Sequence, residues 1–392
     1  MDLCDTALAN ALNSVDFSGY GFLLKFLQFS GLNIKQCKME KTSTCSVKTF
    51  LKELPIVFMY MVQIYIIISA LLTVTQSLSY IVIVASFTVA NLISLILWHL
   101  MYRRKRKIMN LLIQFNKITV LFKRYRKSLS TSINISLGFV VLVPAFSATL
   151  CAIQLRNSPH FLRAYYHLYL ESKLRSETSF LLGIAIADLT FWSLFAFPSI
   201  IAVACGTIYY RFSELLSYFC DNIMENDERS LSYIKFFKLM ENYDLLCDLS
   251  LSIEKALSPV VLLLLSSQTL CMYIALSSFV LFDSVYAPDS VKWQSVPGMT
   301  MIPASLIGVN FCAARILSKM RSIRAVLQKI HNNLARDIEM NWKSILLLKT
   351  MLKMNFPPMT AGGILELKSG LILSVFGSLL TYGLLIINIR SG

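Results

Sequence analysis

Asp188 is an acidic side chain in an otherwise uncharged apolar stretch. It lies in GIAIADLTFWSLFAF, residues 183–197, with Thr190 close by and Trp192 one helical turn further on. An ionisable group inside a membrane-crossing segment is costly and commonly marks a functional site. One hypothesis is a ligand pocket in which Asp188 accepts hydrogen bonds or meets a cation beside the Trp192 ring. The alternative is a structural hydrogen bond to a neighbouring segment, or a position near the outer membrane interface.

Uncharged polar side chains interrupt other apolar runs at Gln63, Gln154, Gln268 and Asn310. Each is either a ligand contact or a hydrogen bond between helices, which contributes about 0.6–2 kcal/mol in a membrane. We take Gln154, Gln268 and Asn310, together with Asp188 and Trp192, as the candidate ligand-binding residues.

The sequence lacks the motifs of common enzymes and cofactor sites. It has four histidines, no HExxH, no Walker A loop, no GxGxxG and no GxSxG, and its Cys and His residues do not have the spacing of a metal site. We therefore expect that the protein is not an enzyme and that it has no cofactor or metal.

Composition places the chain among membrane proteins. Of its 392 residues, 56% are hydrophobic and only 15% are charged, whereas soluble domains have roughly 25% charged residues. A helix needs about 20 apolar residues to cross the hydrocarbon core. The long uncharged runs predict an all-α membrane protein with seven transmembrane helices, at about 54–76, 79–101, 133–155, 180–208, 258–282, 296–317 and 366–389.

The distribution of basic residues predicts the orientation. The segments 1–53, 102–127, 211–256 and 319–363 carry 29 Lys and Arg residues, against six on the other side. Since Lys and Arg mark cytoplasmic loops, we expect a cytoplasmic N-terminus and an extracellular C-terminus. The net charge of +15 follows from this bias. It indicates contact with anionic membrane lipids rather than with nucleic acid.

Four regions follow along the chain. Residues 1–53 are a cytoplasmic segment with an amphipathic stretch before the membrane, and 54–318 form a six-helix ligand-binding domain. Residues 319–363 are a cytoplasmic helical extension, and 364–392 contain the last helix. The segments 211–256 and 319–356 show helical spacing of apolar residues. One is acidic and the other is basic, so they either pair or present two solvated faces.

The last span has a polar stripe. Its members recur at steps of three and four residues, which places them on one helix face: Ser374, Ser378, Thr381, Tyr382, Leu385, Asn388 and Ile389. Such a stripe either lines an aqueous pore or forms an ordinary contact between helices.

The end of the chain resembles the insect gustatory receptor family, which is related to the insect odorant receptors. That family ends on Thr-Tyr, five hydrophobic residues and Gln-Phe. This chain has Thr381-Tyr382, five apolar residues at 383–387, and then Asn388-Ile389. The Gly-containing break before the last span and the basic first cytoplasmic loop, at 102–127, are also similar. Asn and Ile depart from the Gln-Phe pair, which indicates a divergent member.

The resemblance implies a ligand-gated, non-selective cation channel, built as a tetramer in which four last helices line one pore. It implies that residues 319–363 anchor the subunits, that Asn388 and Ile389 stand at the gate, and that the ligand binds among the first six spans. Subunits would be identical or combined with other gustatory receptor chains. The protein would lie in the plasma membrane of sensory neurons and bind a small-molecule tastant.

Two other functions fit parts of the sequence. An odorant-type channel has the same architecture, and a metabotropic seven-helix receptor has the same number of spans but needs an extracellular N-terminus, which contradicts the charge distribution. Sugar recognition requires many hydrogen-bonding groups, because an unpaired hydroxyl is costly. The spans carry few such groups and many aromatic residues, which favours a bitter or other plant compound.

Overall fold

The computed structural model describes residues 57, 60–69, 81–122, 130–155, 177–225, 233–281, 289–335, 342–354 and 356–391. The N-terminal segment 1–53 and residues 156–176, between the third and fourth predicted spans, lie outside the described residues. The first predicted span is described in part, as the short apolar helix α1, Tyr60–Ser69.

Long helices make up most of the described chain. They are α2 (Ile81–Leu121), α3 (Ser130–Leu155), α4 (Glu177–Phe191), α5 (Phe197–Glu225), α6 (Tyr233–Leu281), α7 (Asp289–Leu334), α8 (Trp342–Lys353) and α9 (Ser369–Ser391). In this part of the chain, six helical segments are long and apolar enough to cross a membrane. The helix pairs the backbone amides and carbonyls that lipid cannot satisfy. The predicted all-α membrane fold is confirmed.

Several helices are much longer than a membrane is thick. Helix α2 has 41 residues and α6 has 49, which correspond to about 60 and 74 Å at 1.5 Å per residue, against a hydrocarbon core of about 30 Å. The basic segment 102–127, which its charge predicts to be a loop, continues α2 as far as Leu121. Lys and Arg are good helix formers, and no Gly or Pro interrupts the segment.

The predicted anchor region, residues 319–363, comprises more than one helix. It contains the end of α7, all of α8 and the first strand of a β-hairpin. The hairpin pairs β1 (Thr360–Ala361) with β2 (Leu365–Glu366) in antiparallel fashion. The Tyr243 hydroxyl of α6 donates to the Met354 carbonyl at 3.2 Å, and its ring lies 5.0 Å from that of Phe356. The end of this region is therefore attached to α6.

Helix α5 occupies the centre of the bundle, and α9 lies at its edge. Gly183–Glu225 is one continuous helical segment that includes most of α4 and all of α5. Of its most apolar stretch 83% is buried, against 11% of the corresponding stretch in α9. Buried side chains of α5 include Tyr209, Phe212 and Phe219, and α7 packs along α5. Most of the surface of α9 is therefore not covered by the described part of its own chain.

An ion pair joins α5 and α7. Arg315 Nη2 lies 2.6 Å from Glu214 Oε1, and the Arg315 guanidinium lies 4.9 Å from the centre of the Tyr210 ring. The contact joins an acid of the segment 211–256 to a base just before the segment 319–356. Because the cation also lies over an aromatic face, the pair has more than a Coulomb attraction to hold it.

Candidate functional site

One face of α9 rests on α6. Leu379 and Ile386 of α9 are buried, and α9 packs against α6 and α7. The two helices lie close together at Gly383, where an added Cβ would lie 3.3 Å from Leu276 Cδ2. A small residue at 383 therefore lets the two helices come together without displacing Leu276.

Two members of the predicted stripe make contacts on this side of α9. The Tyr273 hydroxyl of α6 donates to Ser378 Oγ at 2.7 Å, and Ser277 Oγ lies 3.0 Å from the Tyr382 hydroxyl. The Tyr273 and Tyr382 rings meet edge to face, with centroids 4.9 Å apart. The Tyr382 side chain is thus half-buried and joins α9 to its own subunit.

The opposite face of α9 is exposed and carries two parallel strips. The first contains five of the seven predicted residues, of which all but Leu385 are polar: Ser374, Ser378, Thr381, Leu385 and Asn388. Ser378 lies at the border between this strip and the α6-facing side, where the Tyr273 hydroxyl reaches it. The second is purely apolar and consists of Leu373, Leu380, Leu384 and Ile387, each between 50% and 76% exposed. The side chain of Ile389, the seventh residue, lies outside the described set. The predicted stripe therefore lies largely on the surface that this chain leaves uncovered.

Asp188 and Trp192 lie one turn apart where α4 meets a π-helical turn. Both side chains are half-buried, and Asp188 Oδ1 has no hydrogen-bond partner among the described residues. The π turn covers Trp192–Ala196, and the Phe197 N–H donates to the Trp192 carbonyl. Pro198 follows directly and lacks an N–H group, which explains why the regular ladder is interrupted here. Such π turns frequently occur at functional sites.

Ser193 is the residue in this region that sequence reasoning missed. Gln63 Nε2 of α1 donates to Ser193 Oγ, and Ser94 Oγ of α2 donates to the Ser193 carbonyl at 2.6 Å. The π turn also packs against α3 and α7. The available sequence signal was Ser193 itself, a polar residue in an apolar run, with Pro198 five positions later. Ser193 connects the turn beside Asp188 to the first two helices.

Gln268 and Asn310 lie elsewhere, between α6 and α7. Gln268 Nε2 donates to Ser305 Oγ at 2.6 Å and Asn310 Nδ2 to the Leu306 carbonyl at 3.0 Å. Both side chains are buried, and Gln268 Oε1 and Asn310 Oδ1 find no partner in the described part of the chain. Gln154 is half-buried near the end of α3. The structure thus groups Asp188 with Trp192, and Gln268 with the region of Asn310.

An apolar groove opens beside Asn310. It has a volume of about 390 Å³ and lies between α6, α7, β2 and α9. Its wall includes Leu262, Leu306, Asn310, Leu371 and Val375. The groove connects a predicted ligand residue with the base of the last helix. Within the described ranges, no cluster of His, Cys, Asp and Glu has the arrangement of a metal site.

Comparison with known proteins identifies the fold. No protein-family model matches the chain, and no curated protein sequence does. Among solved structures, the insect olfactory receptor OR5 from Machilis hrabei in complex with eugenol is similar, with a TM-score of 0.64 and 10% sequence identity over 94% of this chain and 99% of that chain. A second structure of OR5 gives a TM-score of 0.62 and 11% identity over the same shares. The shared fold extends over nearly the whole chain.

Proposed function

We propose that this protein is a gustatory receptor that acts as a tastant-gated, non-selective cation channel in the plasma membrane of sensory neurons. The observation that carries the proposal is the exposed face of α9, on which a polar strip runs beside an apolar one. A helix that borders water on one side and hydrocarbon or protein on the other needs this division. The resemblance of Thr381-Tyr382 and the following residues to the gustatory signature supports the receptor class.

We propose that the same helix faces partner subunits. The hydroxyls of Ser378 and Thr381 donate to carbonyls of their own helix, so the row is compatible with a membrane helix, and several copies of α9 around one axis would turn that row toward a common pore. We propose a tetramer, homomeric or formed with other gustatory receptor chains. Residues 319–363 would act as its cytoplasmic anchor, and the N-terminus would be cytoplasmic. Asn388 and Ile389 would form the polar and apolar rings of the gate.

The ligand site fits best beside the π turn. Asp188 offers an acceptor that has no hydrogen-bond partner among the described residues, and Trp192 offers an aromatic wall one turn away. Buried Phe191 and Phe195 lie in the same stretch. We propose that these residue types favour a small aromatic compound, such as a bitter plant product, over a sugar. The eugenol in the similar olfactory receptor supports the same class of ligand.

Asp188→Asn is expected to change ligand sensitivity without removing the protein from the membrane. The amide keeps the shape and one acceptor oxygen but loses the charge, so the half-maximal concentration should rise by about tenfold, as expected for the loss of a hydrogen bond to a charged group. The measurement is a dose–response curve normalised to surface protein. Loss of surface protein with an unchanged curve would instead assign Asp188 a structural role.

The proposed function is tested by whole-cell recording from cells that express this chain alone. Sucrose, caffeine and eugenol serve as representative sugar, bitter and aromatic probes, and the pipette contains a G-protein blocker. We expect a fast cation current that survives the blocker and is largest with caffeine or eugenol. A slow response that the blocker removes would contradict the channel.

An odorant-type receptor channel is the second candidate. The observation that favours it is the fold shared with an olfactory receptor over nearly the whole chain. The two functions differ in how the ligand arrives and in its volatility. A current evoked by eugenol but not by caffeine or other non-volatile bitter compounds would favour the odorant type.

A further inference from the structure

The β-hairpin before α9 is fastened to one turn of α6. Glu254 Oε2 accepts the Thr360 N–H at 3.0 Å, and Glu254 Oε1 accepts the Thr360 hydroxyl. A carboxylate that receives both donors of one residue fixes the position and the orientation of that residue. Hydrogen bonds to a charged group are also roughly twice as strong as neutral ones.

Ser258, one turn further along α6, completes the attachment. Its carbonyl accepts the Gly362 N–H at 2.9 Å, and its Oγ accepts the Gly363 N–H at 3.1 Å. Ser258 Oγ also lies 3.1 Å from Thr360 Oγ1. We call the contacts of Glu254 and Ser258 with Thr360, Gly362 and Gly363 the hairpin latch.

The turn of α6 that carries the latch is tied to α2 as well. Pro259 has no N–H, so the carbonyl of Lys255, four residues earlier, loses its normal donor in the helix. Arg104 of α2 replaces that donor, because its Nη1 lies 2.7 Å from the Lys255 carbonyl and 3.3 Å from that of Ala256. Hydrogen bonds thus attach both α2 and the hairpin to the same turn of α6, between Glu254 and Ser258.

We propose that Glu254, Ser258 and Arg104 are positioning residues for the last helix, and that the hairpin latch transmits movement of α2 and α6 to α9. Only Leu367 and Lys368 separate the hairpin from Ser369, the first residue of α9. A shift of the α6 turn therefore displaces the base of α9 directly. The consequence for gating rests on the proposed channel function, whereas the positioning of α9 is measurable without it.

The experiment uses the full chain with two introduced cysteines, the reporter pair, in the part of the α6–α9 contact that lies away from the hairpin. Leu276→Cys and Gly383→Cys place two thiols where a Cβ at 383 would approach the Leu276 side chain to 3.3 Å. The rate of disulfide formation with copper phenanthroline, followed by mass spectrometry of the linked peptides, reports how α9 is held. Single-cysteine versions of the pair control for the native cysteines.

Thr360→Val removes the hydroxyl from the latch at nearly constant volume. We expect it to slow the reporter cross-link by about tenfold, as the loss of a hydrogen bond to a charged group should. Thr360→Ser keeps the hydroxyl and should form the reporter cross-link at the wild-type rate. Thr350→Val is the matched control, because the Thr350 hydroxyl donates to the Leu346 carbonyl of its own helix. If Thr360→Val does not reach the membrane, Glu254→Gln tests the same contact with a smaller change.

The outcomes separate the latch from the channel. A cross-link that forms at the wild-type rate in Thr360→Val, or in Glu254→Gln where that variant replaces it, overturns the inference, whatever the currents show. A slowed cross-link, together with no evoked current from the wild-type chain expressed alone, supports the latch and contradicts a homomeric channel. In a conducting chain, Thr360→Val should reduce the evoked current per surface molecule while the single-channel conductance is unchanged. An unchanged evoked current would overturn the role of the latch in transmission.

Discussion

Asn388→Lys is expected to remove most of the cation current while leaving the protein at the cell surface. Asn388 lies on the exposed polar strip of α9, and a tetramer would place four added positive charges around a narrow pore. A ring of Lys opposes cation passage, and an added barrier of about 1.4 kcal/mol already reduces the current about tenfold. The measurement is whole-cell current at matched surface expression.

Controls for this prediction use the same turn of α9. Asn388→Gln keeps an amide and should conduct about as well as the wild type. Asn388→Cys should become sensitive to a cationic thiol reagent applied from outside during channel opening, whereas Ile387→Cys, on the apolar strip, should not. Normal cation current in Asn388→Lys at equal surface expression would show that the polar strip does not line a pore.

Gly362→Ala is expected to destabilise the protein much more than Gly363→Ala. Both glycines have left-handed backbone angles, with φ of 67° and 74°, and a side chain in that conformation costs about 1–2 kcal/mol. At Gly362 an added Cβ would also lie 2.5 Å from Leu262 Cδ2, whereas at Gly363 it would meet nothing within 4 Å. Overpacking adds about 1–3 kcal/mol.

The two alanine variants therefore form a matched pair that isolates the contact with Leu262. Thermal stability of the detergent-extracted chain, followed by size-exclusion chromatography after heating, should fall slightly for Gly363→Ala and strongly for Gly362→Ala. Leu262→Ala should partly restore Gly362→Ala by making room for the new Cβ. Equal losses in the two glycine variants would mean that the hairpin does not rest on Leu262.

The membrane helices were predictable because lipid demands long apolar runs and a fully paired backbone. The ends of the helices were not, since charge identifies the side of the membrane but does not stop a helix. Lys and Arg continue α2 to Leu121. The break before the last span was predicted at the Gly-containing stretch, where the structure has a hairpin with Gly362 and Gly363 at its turn.

The features of the candidate site that depend on residues close together in the sequence were predictable. The one-turn spacing of Asp188 and Trp192 follows from helix geometry, and five members of the α9 stripe share an exposed face. Contacts across the bundle were not predictable. Gln63 and Ser193 are 130 residues apart, and Glu254 meets Thr360 across 106 residues. Such pairs depend on how the helices pack, about which a single sequence carries little information.

Single-channel recording from the purified full chain in planar lipid bilayers tests most directly whether the protein is itself the channel. The bilayer contains no other protein, and the probe is whichever of sucrose, caffeine or eugenol evokes the largest whole-cell current, or eugenol if none does. We expect unitary cation currents whose amplitude rises in Asn388→Asp, because a ring of carboxylates attracts cations at the pore. Bilayers that stay silent with folded, tetrameric protein and that probe would contradict the channel.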